Sequence, residues 1–68
     1  MIEFVVQRLM LGDVVLIDLP DQPRVEATVV RHIERTERTV RVTLRVEGRD
    51  DFVREWPLDE MVTVVYGS

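Results

Sequence analysis

The chain has 68 residues and a mass of 8.0 kDa, with 46% hydrophobic residues, 32% charged residues and a net charge of −4. That describes one small domain, too apolar for disorder and too interrupted by charge for a membrane span. Cysteine is absent and His32 is the one histidine. Disulfides, thiolate metal sites and a cysteine nucleophile are thereby excluded, and neither a metal nor another cofactor is expected.

A chain of this length buries only about 60% of the surface it exposes when unfolded. Its core must be dense or shared with a second copy. Valine occurs 14 times, isoleucine 3 times and threonine 5 times, and β-branched residues favour strands. All 9 basic residues are arginine, with no lysine or asparagine, a composition typical of a GC-rich bacterial genome. Met1-Ile2-Glu3-Phe4 lacks the basic start and long apolar stretch of a signal peptide. The cytoplasm is the expected compartment, with no membrane contact.

In chain order, Ile2 to Leu11 fits neither the helical nor the strand period and is read as extended. Gly12-Asp13 is a turn signal before an apolar strand, Val14 to Leu19, which ends at Pro20-Asp21-Gln22-Pro23. A second strand runs from Arg24 to Glu34, and Thr36-Glu37 turns the chain. The clearest strand is Thr39 to Glu47, where Val40, Val42, Leu44 and Val46 alternate with polar residues. After Gly48-Arg49-Asp50-Asp51 come Phe52 to Trp56, one helical turn around Pro57-Leu58-Asp59-Glu60, and Met61 to Tyr66. Short β-branched runs punctuated in this way predict five strands in a single all-β barrel domain, residues 1–68.

The central hairpin has a testable register. Pairing Glu34 with Thr39 puts Val25, Ala27, Val29 and Ile33 on one face with Val40, Leu44 and Val46. A slip of one residue would bury Thr28, Val30, His32 and Glu34 instead. The first register leaves Arg31 on the apolar face opposite Val42, which a bulge or a place at the barrel mouth resolves. Outward pairs are then Glu34–Thr39, His32–Arg41, Val30–Thr43, Thr28–Arg45 and Glu26–Glu47.

The segments LGDVVLIDL, EATVV, TVRVTLRVEG and REWPLDEMVTVV, spanning Leu11 to Val65, resemble an SH3-like barrel. KOW and Tudor domains share that architecture. Here Pro20-Asp21-Gln22-Pro23 stands where the KOW pattern has glycine, and only Phe4, Phe52, Trp56 and Tyr66 are available for a Tudor-like aromatic cage. Gly12 to Asp18 followed by Ala27 to Val30 is also similar to the opening of SH3-like-barrel ribonuclease toxins. That resemblance implies roles in RNA cleavage for Arg24 and Thr43.

Charge divides the chain. Residues 31–49 hold Arg31, Arg35, Arg38, Arg41, Arg45 and Arg49 against Glu34, Glu37 and Glu47, while both flanks are acidic. Arg35, Arg38, Arg41 and Arg45 are therefore candidate nucleic-acid contacts. Against this stands an ordinary cross-strand ladder, Glu34 near Arg41 and Glu26 near Arg45, on a wet face. Phe52, Arg54 and Trp56 share one strand face. Turned outward they form a ligand patch; turned inward the aromatics are core and Arg54 sits at the barrel end. His32, Asp13, Asp50-Asp51 and Asp59-Glu60 carry no defensible catalytic or metal motif. The expectation is a non-catalytic binding module for a protein partner, poised to form a homodimer through its valine-rich edges. Nucleic-acid binding and ribonuclease activity are the alternatives.

Overall fold

The β-branched runs form strands throughout. In a computed structural model describing residues 1–31 and 33–66 (Tyr66 by its backbone), these are β1 (Ile2–Val5), β2 (Val14–Leu19), β3 (Gln22–Val29), β4 (Glu34–Arg35), β5 (Thr39–Arg45), β6 (Phe52–Pro57) and β7 (Met61–Tyr66). Every pairing is antiparallel. The strand order is β1-β7-β2-β3-β5-β4, with β6 on the other side of β5. Because β3 and β4 lie in line along β5, the whole is one curled sheet with β1 and β6 at its free edges. Among the described residues no helix is long and apolar enough to cross a membrane.

Among the described residues the expected five strands are seven. One addition comes from the segment without a period: its first residues form β1 on β7, and Val6–Arg8 then form a 3-10 turn. The other comes from the run 24–34, which is broken into β3 and β4. The expected helical turn before β7 is instead a tight turn at Leu58-Asp59, closed by Glu60 N donating to Pro57 O at 3.1 Å. Leu58 N is held by Arg38 O at 3.2 Å. The chain is thus tied to the β4–β5 turn and must return at once.

The central register is as expected where β3 meets β5: Thr28 lies opposite Arg45 and Val29 opposite Leu44, and Val30 N still reaches Thr43 O at 3.0 Å. It then shifts by two residues, so that Glu34 faces Arg41 rather than Thr39. Continuing that register brings Ile33, 8% exposed, level with Val42, while Arg31 is left in solvent. The cost of an inward guanidinium is avoided without changing which face is buried. The expected place of His32 beside Arg41 falls outside the described residues, and Arg41 faces Glu34.

A second irregularity lies between Ile17 and Leu19, where Ile17 pairs with Val25 but Leu19 with Gln22. Pro23 and Arg24 together oppose Asp18. Arg24 takes a left-handed φ of 51°, the conformation in which such bulges favour glycine. The inner face of the curl is a valine-rich core with Val15, Ala27, Val40 and Leu44 fully enclosed.

Candidate functional site

Register decides the aromatic–arginine trio. On β6, Phe52 lies opposite Leu44, Arg54 opposite Val42 and Trp56 opposite Val40, all three partners being buried. The trio therefore shares the inward face, and Val53, 59% exposed, points out. Phe52 and Trp56 are half-buried against the core. The Arg54 guanidinium stands 6.0 Å from the Trp56 ring centre and donates to Asp18 O on β2 at 3.2 Å. Arg54 thus bridges the gap between the β6 edge and β2, the inward alternative of the sequence reading.

Within the arginine-rich segment, Arg41, Arg45 and Arg49 are matched by carboxylates of the same chain. Arg41 lies between Glu34 and Glu55, at 3.9 and 3.3 Å. Arg45 makes two parallel bonds to Asp51, at 2.9 and 3.0 Å, and not the ladder expected with Glu26. This raises the Arg45 pKa and lowers that of Asp51, in each case chiefly through the hydrogen bonds. Arg35 donates to Gln7 O at 2.9 Å and Leu9 O at 3.4 Å, capping the 3-10 turn. Arg49 reaches across to Asp21 at 2.7 Å. Of the four candidate nucleic-acid contacts, only the Arg38 side chain has no described partner. The acidic partners on β6 and its preceding loop lie outside the hairpin, so a count of hairpin charges alone misses them.

Arg24 and Thr43 do not converge. Arg24 lines clefts with Leu16, Asp18 and Thr63, and with Pro23 and Glu47. Thr43 sits in mid-sheet opposite Val53. Among the described residues no cluster of histidine and carboxylates is placed to hold a metal ion.

A further surface was not foreseen. Leu9, Met10, Leu11, Ile33 and Arg35 line an apolar cleft of about 380 Å³. Its floor is buried Leu9 and Ile33, while Met10 and Leu11 are 58% and 54% exposed. The loop that displays them is fixed from below: Asp13 is buried, its Oδ2 accepts from Met10 N at 2.9 Å, and its own N–H donates back to Met10 O at 3.1 Å. Asp13 O also accepts from Val29 N at 2.9 Å, and Gly12 N donates to Val29 O at 2.9 Å. The sequence signal is an apolar pair set directly against the Gly12-Asp13 turn.

Compared with known families, curated proteins and solved structures, the chain matches no family model, no curated protein and no solved structure.

Proposed function

We propose that the chain is an SH3-like barrel that serves as a non-catalytic binding module for a protein partner, through the Leu9–Leu11 cleft. The fold reading is supported by the β2-β3-β5-β6 meander, the tight turn after β6 and the return of β7 to β2. One observation carries the function: two large apolar side chains, Met10 and Leu11, are held in solvent by a loop built on a buried carboxylate. Exposed apolar side chains around a shallow, open cleft are a feature of interaction sites, and the pliable methionine suits an aliphatic side chain from a partner. The matched arginines favour this reading over a polyanion, and the separation of Arg24 from Thr43 favours it over ribonuclease activity.

The test uses a displayed library of random peptides, followed by amide chemical shifts on titrating a selected peptide. The expected result is enrichment of peptides with an aliphatic anchor, shifts confined to residues 9–11, 33 and 35, and loss of binding in Met10→Ser/Leu11→Ser. Shifts mapping instead to Phe52, Arg54 and Trp56, or a response to single-stranded RNA and to no peptide, would overturn it.

A further inference from the structure

Two strands bound the curled sheet, and they are not alike. On β6, Arg54 points inward and Pro57 has no N–H. An inward charge and a proline are devices by which sheet edges resist pairing. Strand β1 reads Ile-Glu-Phe-Val and has neither. Its Ile2 is 60% exposed and its Phe4 half-buried, on the same face as their β7 partners Val64 and Val62.

One bond shows which backbone groups are open. Val6 N donates to Glu60 O at 2.8 Å, continuing the register in which Val5 lies opposite Met61. Opposed residues in an antiparallel pair alternate between those that exchange hydrogen bonds and those that do not. Ile2 and Phe4 therefore bond to β7, and the N–H and C=O of Glu3 and Val5 point out of the free edge.

We propose that this edge pairs with β1 of a second copy, antiparallel about a two-fold axis, with Phe4 opposite Phe4 and Glu3 opposite Val5 of the other copy. In a continuous sheet inward residues meet inward residues, so competing registers differ by two. The register one step back sets Glu3 against Glu3, like charges face to face. The register one step forward sets Glu3 against Gln7, whose carbonyl Arg35 already occupies. The remaining register satisfies Glu3 and Val5 of both copies reciprocally, sets the two Phe4 side chains opposite each other on the inward face and places Ile2 opposite Val6 of the other copy. The edge is thus complementary to itself, and a shared core suits a chain this small. This surface is separate from the Leu9–Leu11 cleft and does not depend on it.

Val5 has φ −70° and ψ 139°, which proline also adopts. Its N–H faces the free edge, so Val5→Pro removes one inter-copy bond from each protomer, two per dimer, and leaves the β7 ladder intact. Sedimentation equilibrium of the wild-type chain is expected to show monomer and dimer, and Val5→Pro to weaken association about 10- to 100-fold with an unchanged circular-dichroism spectrum. A wild-type chain that stays monomeric at millimolar concentration, or a folded Val5→Pro that dimerises equally well, overturns the proposal. Should Val5→Pro not fold, wild-type protein mixed from two isotope labels decides. A nuclear Overhauser effect between Phe4 Hα atoms of the two copies supports the pairing, and its absence refutes it.

Discussion

Asp51 receives both Nε and Nη2 of Arg45, at 2.9 and 3.0 Å, immediately before β6 begins. The fork fixes the end of the β5–β6 loop to the strand it has just left. It also makes the fold sensitive to acid. The hydrogen bonds from Arg45 hold the Asp51 carboxyl below its ordinary value of 3.8, and those from Arg49 do the same for Asp21. A carboxyl lowered in the folded state contributes stability that is complete above its unfolded value. That contribution is lost as pH falls through the folded value. Asp51→Asn combined with Asp21→Asn is expected to reduce stability at neutral pH and to flatten its fall in acid. Urea midpoints measured from pH 7 down to pH 2 check this; parallel curves for variant and wild type would contradict it.

The Asp18 carboxylate accepts from Arg24 N at 2.9 Å, holding a left-handed residue in the β2–β3 bulge. A side chain in that conformation costs roughly 1–2 kcal/mol, part of which glycine recovers before its own entropy is counted. Arg24→Gly is expected to stabilise the fold by up to about 1 kcal/mol. Asp18→Ala, which frees the amide, is expected to cost about 1 kcal/mol. Chemical denaturation of both variants measures this, and a destabilised Arg24→Gly would show that the guanidinium itself holds the bulge.

Arg54 is expected to matter to Trp56 more than to any ligand. Removing the guanidinium from the indole and from Asp18 O opens the gap between β6 and β2. Arg54→Ala should cost about 1 kcal/mol, shift Trp56 emission to the red and increase its quenching by iodide. Unchanged emission and an unchanged unfolding midpoint would mean that the bridge is not formed in solution.

What the sequence disclosed follows from how strongly each segment is patterned. The alternation from Val40 to Val46 specified both the buried face and the register at Thr28 and Val29, because a slip would have buried polar residues. The conflict at Arg31 was equally visible, although its resolution, a two-residue shift that substitutes Ile33, was one of several available. Residues 2–11 gave no such guidance. There β1, a 3-10 turn and the displayed pair Met10-Leu11 follow within ten residues, and no period survives so many changes of direction. The candidate cleft was hidden for the same reason. Its walls come from this segment and from Ile33 and Arg35, more than 20 residues away in sequence. The neutralisation of Arg41 and Arg45 also depended on a third strand and its preceding loop, whose placement a hairpin alone does not supply.

The shift between β3 and β4 separates two residues that the simple register would place on the same face. Ile33 is 8% exposed beside Val42, whereas Arg31 is exposed. Ile33→Ala removes three buried carbon atoms and is expected to cost about 2–4 kcal/mol. A core in so small a domain rarely supplies more than about 3–5 kcal/mol in total, so this variant should be close to unfolding at room temperature. Arg31→Ala should change stability by no more than about 0.5 kcal/mol. If the register continued unshifted, Arg31 would sit against Val42, and its truncation would raise stability by relieving a buried charge. Thermal and urea unfolding of the two variants therefore distinguish the arrangements: a stabilised Arg31→Ala refutes the two-residue shift, and a neutral one beside a crippled Ile33→Ala is what the shift requires.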